Sequence, residues 1–295
     1  MPNAAFTERD VEEFFDGSTQ TYLSFWDSEG VLHTGYFADG NERDYQAAAE
    51  HTSRLVADEA KLDASSSVLD AGCGCGNFIF YLAQRFGCRC EGLDLSCERI
   101  KFAQGKLAKD ADRLGAHVAF RHGSVTRLPH PDRAFSHVVS QDALFLVPDK
   151  AQSHAEIHRV LAPGGTFAFT DFLQPKPEVS ARARKHVYDR VRWSSGFSLV
   201  GYQAALERAG FEIRLARDLS SHLKQTYAVL GITARERAES APSRAASEWM
   251  LAFSASCQEI GVAIDDGEFG WGVFVAQRPA GKSAQRISPR EIPTG

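Results

Sequence analysis

The chain has 295 residues, 43% of them hydrophobic and 24% charged, which allows a substantial core and suits one or two domains. Its net charge of −5 carries no global electrostatic footprint for nucleic acid or an anionic membrane. No run approaches the roughly 18 apolar residues of a bilayer span, and the start, MPNAAFTERDVEEFFDG, lacks an apolar stretch behind a basic one, so the sequence predicts a cytoplasmic monomer or homodimer without a signal peptide.

Taken in chain order, residues 1–8 are polar and aperiodic and are expected to fray. They begin a helical, aromatic-rich arm over residues 1–43, densest at Phe14–Phe37. Amphipathic spacing then predicts a helix at Asp44–Glu59, and a short apolar run predicts a strand at Ser67–Ala71. Helix Gly76–Phe86, strand Arg89–Asp94, helix Cys97–Leu114 and strand His117–His122 follow. Strand Phe135–Ser140, helix Lys150–Leu161 and strand Thr166–Asp171 continue the alternation. Helices Val179–Arg192 and Ser198–Ala209 then lead to strand Phe211–Arg217. Such alternation predicts an α/β fold with a mostly parallel sheet and helices on both faces. Residues 219–268 read as mainly helical, too long for a connecting loop, and predict a cap ahead of a last strand, Trp271–Gln277. One domain is expected over residues 44–279, with a flexible tail at 280–295.

Five of the six cysteines lie between Cys73 and Cys97. Zinc ligand pairs are usually separated by two to four residues, whereas Cys73/Cys75 and Cys88/Cys90 are separated by one. They read as small buried groups, and no metal is expected. His154 and His158, one turn apart, read as a solvated helix face rather than a metal pair. Arg182, Arg184, Lys185, Arg190 and Arg192 read either as an exposed helix face or as a cluster that attracts a carboxylated or phosphorylated substrate.

The strongest local signal is Asp70-Ala71-Gly72-Cys73-Gly74-Cys75-Gly76, which follows a strand and opens a helix. Gly72 permits a tight turn, and Gly74 and Gly76 let backbone approach a ligand without an intervening Cβ. Asp94 ends the next strand, where a carboxylate can accept both hydroxyls of a ribose. A dinucleotide would favour Gly-x-Gly-x-x-Gly and no carboxylate ahead of the loop. Asp70 instead suits a ligand with an ammonium group; ammonium, ribose and adenine without phosphate describe S-adenosylmethionine (SAM).

On these residues the chain resembles the class I SAM-dependent methyltransferases over roughly residues 45–217. His122-Gly123-Ser124-Val125, Phe135–Asp142 and Arg159–Thr166 resemble further motifs of that family. A narrower likeness rests on Tyr22–Trp26, Leu32–Phe37, Ser140–Phe145, Thr170–Gln174 and Trp271–Phe274. These are similar to small-molecule enzymes of the sarcosine/dimethylglycine N-methyltransferase and tocopherol methyltransferase group. The resemblance implies a doubly wound, Rossmann-like, seven-stranded sheet with an antiparallel last strand. It also implies SAM contacts from Trp26, Asp70, Gly72, Gly74, Gly76, Asp94, Leu95, Ser124, Val125 and Gln141. Two departures stand out: Ser124 occupies a position where the family often has an acid, and Leu146 one where the narrower group usually has a His.

The resemblance implies methyl transfer by in-line displacement to a small-molecule acceptor. An amine nitrogen is the leading choice, and an oxygen or carbon of a natural product or isoprenoid is the alternative. An amine reacts only when neutral, so a nearby proton acceptor or a dry pocket would help. His33, in the arm, is the candidate base, or else a surface or cap histidine; Asp142 either accepts a substrate proton or caps the next helix. Tyr22, Tyr36, Phe145, Phe172 and Trp271 are candidate acceptor contacts, because aromatic faces favour cations by about 0.5–2 kcal/mol each.

Overall fold

The computed structural model describes residues 6–25, 27–38, 43–115 and 117–281. Helix α1 (Glu8–Phe25) precedes α2 (Tyr45–Ala60), which starts where the Asp44 side chain accepts the N–H groups of Gln46 and Ala47. β1 (Ser67–Ala71), α3 (Asn77–Phe86), β2 (Arg89–Asp94), α4 (Cys97–Lys109), α5 (Ala111–Leu114) and β3 (Val118–His122) follow. Next come β4 (Phe135–Gln141), α6 (Lys150–Val160), β5 (Leu161–Leu173), α7 (Ala181–Ala183), α8 (Leu199–Arg208) and β6 (Glu212–Asp218). Two long helices, α9 (Ser220–Ala238) and α10 (Arg244–Asp265), lead to β7 (Gly270–Gln277).

The seven strands form one sheet in the order β3-β2-β1-β4-β5-β7-β6, parallel except for β7, which runs antiparallel to β5 and β6. This is the doubly wound α/β fold expected, and the order reverses direction between β1 and β4. That reversal leaves a crevice at the carboxyl ends of β1 and β4, the usual ligand position in such sheets.

Four expectations about element boundaries and order change. Residues 6–8 are placed rather than frayed: the Phe6 N–H donates to Ser194 Oγ at 2.8 Å, and Glu8 opens α1. The helix expected at Cys97–Leu114 divides at Asp110, whose φ of −120° and ψ of 20° leave helical geometry. β5 begins five residues before the expected Thr166, because Gly164 N–H donates to Arg278 O and Arg278 N–H to Gly165 O, absorbing the glycine pair into the sheet. Val179–Arg192 is an α turn, α7, followed by a π turn over Arg184–Tyr188 and a 3₁₀ turn over Asp189–Val191.

The cap is an antiparallel pair. Lys224 near the start of α9 reaches Asp265 at the end of α10, and the helices close at Gly231, where an added Cβ would stand 3.0 Å from Cys257 Cβ. Its inner face joins Trp193, Tyr188, Phe269 and Trp271 in a buried aromatic cluster over one side of the sheet. This burial holds the cap to the sheet, since each large aromatic removes about 150–250 Å² from water. Cys88 and Cys90 are buried with Sγ atoms 3.5 Å apart, beside β2. The solvated face expected around His154 is instead interior: His154 is 1% exposed, lies between Phe197 and Tyr202, and is pushed down to about 4 by burial.

Candidate functional site

Segments from both halves of the chain enclose a cavity over the crevice, with about 1520 Å³ of space between its walls, mouth included. Among the residues singled out for cofactor, Asp70, Gly72, Gly74, Asp94, Leu95, Ser124, Val125 and Gln141 all line it. Gly76 stands behind the wall at φ +82°, where an added Cβ would lie 2.6 Å from the Phe120 ring. Trp26 lies outside the described residues.

The glycine loop follows from its own backbone needs. Gly72 has φ +87°, and a Cβ there would come within 2.4 Å of Ala143 Cβ, so the loop and the segment after β4 approach as only glycine allows. Asp94 then braces the loop: its Oδ2 accepts Gly74 N–H at 2.7 Å and its Oδ1 accepts Ser96 N–H at 2.8 Å. Each oxygen retains capacity for a further donor. Asp70 is 2% exposed, and its Oδ1 has no hydrogen-bond partner among the described residues. Burial, reinforced by the Asp94 charge, pushes its carboxyl up to about 8. A partnerless buried carboxylate oxygen beside a cavity is a place for a cation. The donors and acceptors here therefore fit a ligand carrying ammonium and ribose, as SAM does. Cys73 and Cys75 also line the cavity, with burial raising both thiols.

The other end is built from remote segments. His33, Asp142, Tyr22, Phe145 and Phe172 line the cavity. Tyr36 and Trp271 are not in its wall: Tyr36 packs on His222 with ring centroids 4.5 Å apart, and Trp271 is fully buried. The segment 31–37 is held on three sides. Tyr45 Oη donates to the His33 carbonyl at 2.7 Å, Thr52 Oγ1 donates to Thr34 O at 2.7 Å, and Gly35 N–H donates to Thr226 Oγ1 on α9 at 3.1 Å. Asp142, at φ 51°, accepts Thr34 N–H on Oδ2, and Thr170 Oγ1 and Trp271 Nε1 on Oδ1, at 2.6–2.8 Å. This carboxylate joins the arm, β5 and β7 at one point.

His33 Nδ1 lies 3.2 Å from the Thr34 carbonyl. A carbonyl only accepts, so the neutral ring donates from Nδ1 and keeps its lone pair on Nε2. Burial lowers the His33 pKa against the opposing pull of Asp142, which favours that neutral ring.

The structure separates the basic cluster. Arg182 pairs with Glu259, Arg184 lies over the Tyr188 ring, and Arg192 lies over the rings of Phe6 and Phe14. Arg190 alone of the five is in the cavity wall. Its Nη2 donates to Tyr227 Oη at 3.0 Å and its Nε to His186 O at 3.3 Å. Its electrostatic neighbours are Tyr227, Tyr22 and Cys257, none of them a carboxylate.

Several wall residues escaped the reading of the sequence: Glu8, Glu12 and Phe15 from α1, Arg99 from α4, and Thr226 and Tyr227 from α9. The α1 residues had a visible signal, since Glu8, Glu12 and Asp16 recur every four residues on one helix face. Thr226 and Tyr227 had none.

A methyltransferase domain model matches residues 69–169. The 27-O-demethylrifamycin SV methyltransferase of Amycolatopsis mediterranei (strain S699) is 30% identical over 225 residues, covering 75% of this chain and 80% of that protein. The glycine/sarcosine/dimethylglycine N-methyltransferase of Actinopolyspora halophila is 27% identical over 279 residues, covering 93% of this chain and 48% of that protein. The chain spans about half the length of the first curated relatives it matches. Among solved structures, a putative sarcosine dimethylglycine methyltransferase from Galdieria sulphuraria shares the fold, with TM-score 0.80 at 21% identity over 90% of this chain and 99% of that one. The chain belongs to the class I SAM-dependent methyltransferases. Its sequence relatives include N-methyltransferases of small molecules, and its cofactor is SAM.

Proposed function

We propose that this chain methylates an amine nitrogen of a small molecule that also carries a carboxylate or phosphate group. The observation that carries this reading is Arg190, a half-buried guanidinium in the cavity wall that has no carboxylate partner among the described residues. A buried cation without an anion is costly, and an acidic acceptor would complete it through charge-assisted, two-pronged hydrogen bonds. The names of relatives in the glycine, sarcosine and phosphoethanolamine series agree with an amine that is also acidic.

Bound beside Asp70 and Asp94, SAM supplies an electrophilic methyl group on a sulfonium leaving group. The chain's residues have three tasks. Arg190 and the rings of Tyr22, Phe145 and Phe172 hold the acceptor, with Phe145 and Phe172 packed 4.6 Å apart. His33 Nε2 takes the proton that an ammonium acceptor must lose before it can react. Asp142 acts by position, since its oxygens are engaged in fixing the arm segment that carries His33. Arm and cap exclude water from the cavity and so belong to the catalytic unit, residues 1–43 and 44–279 working together. No helix among the described residues is long and apolar enough to cross a membrane. The reading has the protein acting in the cytoplasm as a monomer or homodimer, without a nucleic-acid partner.

An oxygen acceptor is the second reading, supported by the 30% identical relative named for an O-demethylated rifamycin. A screen with methyl-labelled SAM over amino acids, phosphorylated amines, neutral amines, phenols and isoprenoids separates them, with the methylated atom located by NMR. Turnover of acidic amines is expected; turnover of phenols or isoprenoids alone would replace the reading.

A further inference from the structure

Ser124, just past the end of β3, lines the cavity without a charge of its own, and the fold brings an acid to it from the arm. Ser124 Oγ donates to Glu8 Oε1 at 2.7 Å, and Thr126 Oγ1 donates to the same oxygen at 2.9 Å. Thr126 N–H donates to Ser124 Oγ at 3.0 Å, so the two hydroxyls are oriented toward the carboxylate. Glu8, Leu95, Ser124 and Val125 are all in the cavity wall, beside Asp94, whose carbonyl accepts Gly123 N–H at 3.0 Å. Both hydroxyls use Oε1, leaving Oε2 without a partner among the described residues.

The register of α1 is fixed by two further acids on the same face. His122 Nε2 shares its N–H between Leu95 O at 2.9 Å and Glu12 Oε1 at 3.1 Å. Asp16 Oδ1 accepts Ser96 Oγ at 2.6 Å and Glu98 N–H at 3.2 Å, and Arg99 lies 4.1 Å over the Phe15 ring. These contacts attach the helix to the ends of β2 and β3 and to the start of α4, so a slip of one turn would break all of them at once. Glu8 is thus held in place along the cavity rim.

We propose that Glu8 of the arm is the acceptor for the exocyclic amino group of adenine, doing from α1 what an acid at position 124 would do from the β3 end. The inference rests on the reading of this cavity as a SAM site. A carboxylate there accepts the N–H of adenine and repels the carbonyl oxygen that hypoxanthine carries at the same position. The arm is then a part of the cofactor site that sets its base preference.

The test is calorimetric binding of S-adenosylhomocysteine and its deaminated analogue, S-inosylhomocysteine, to the full chain and to Glu8→Ala. Unchanged thermal unfolding and circular dichroism establish that the variant folds. Wild type should favour the adenine form by about 10- to 100-fold, the range of one hydrogen bond to a charged group. Glu8→Ala should bring the preference close to unity, and adding Ser124→Asp to Glu8→Ala should restore it. A preference that survives Glu8→Ala, even with both ligands weakened, overturns the proposal and leaves Glu8 as a helix tether. Failure of wild type to bind either ligand overturns the cofactor reading itself, and the proposal with it.

Discussion

The two ends of the cavity are made in different ways. The end at β1, β2 and β3 is made mostly of two local stretches, residues 70–99 and 123–125, stiffened by backbone hydrogen bonds to Asp94, with α1 of the arm laid against them. The end at β4 and β5 is assembled from the arm segment 32–34, the loop after β4, the 3₁₀ turn at Asp189–Val191 and α9, joined by side-chain contacts such as Thr34–Asp142 and Gly35–Thr226. The first end has the geometry that a common cofactor needs. The second can change its acceptor by altering a few distant side chains while the first stays intact. This division agrees with a family whose members share a sheet and differ in substrate.

The comparison breaks if damage at one end spreads to the other. The largest effect is expected from Asp94→Ala, which should weaken SAM binding by about 100-fold or more, the loss of two hydrogen bonds to a charged acceptor. Calorimetry checks it, and wild-type affinity in that variant would remove the ribose assignment. His33→Asn should lower kcat by about 100-fold with SAM affinity unchanged, and the loss should shrink for acceptor amines that are already neutral at the assay pH. Equal losses for amines of high and low basicity would exclude proton acceptance. Arg190→Gln should raise KM for an acidic amine by about 30-fold, leaving a neutral analogue unaffected, with partial recovery in Arg190→Lys. Steady-state kinetics on the two analogues decides it.

A separate effect, read in stability rather than in activity, is the pH dependence set by Asp70. Its folded carboxyl, near 8, is raised above the ordinary 3.8, so the folded state keeps a proton that the unfolded chain gives up. This contribution to stability is complete at the acid end and declines as pH rises from about 4 to about 8. Ligand-free protein should therefore unfold at lower urea at pH 8 than at pH 5, and Asp70→Asn should flatten the difference. Urea midpoints of both proteins at the two pH values would show whether it does.

Legibility followed the same division. Ser67–Ala71 and Arg89–Asp94 could be read to the residue, because buried parallel strands are short apolar runs bounded by glycine and acid. The cap could be read only as helical and too long for a loop, which α9 and α10 match. His154 misled, since a helix with polar neighbours in sequence still turned one imidazole between two rings. Arg190 was legible as one of five cations, and nothing local distinguished it from Arg182 or Arg184. Arg190 meets the cavity from the 3₁₀ turn that follows a π turn over Arg184–Tyr188, a rare element without a sequence signal of its own. Glu8 was lost in a segment taken to fray, although the four-residue acidic spacing was present.

The sequence by itself determined the α/β class, the strand–helix alternation, the glycine loop and the two acids beside it. Those features depend on conformational demands of single residues and of neighbours a few positions apart. Tertiary structure alone decided which side chains complete the cavity. Glu8 meets Ser124 across 116 residues and Gly35 meets Thr226 across 191, and the pairing of such remote groups is set by how helices pack on the sheet rather than by any local preference.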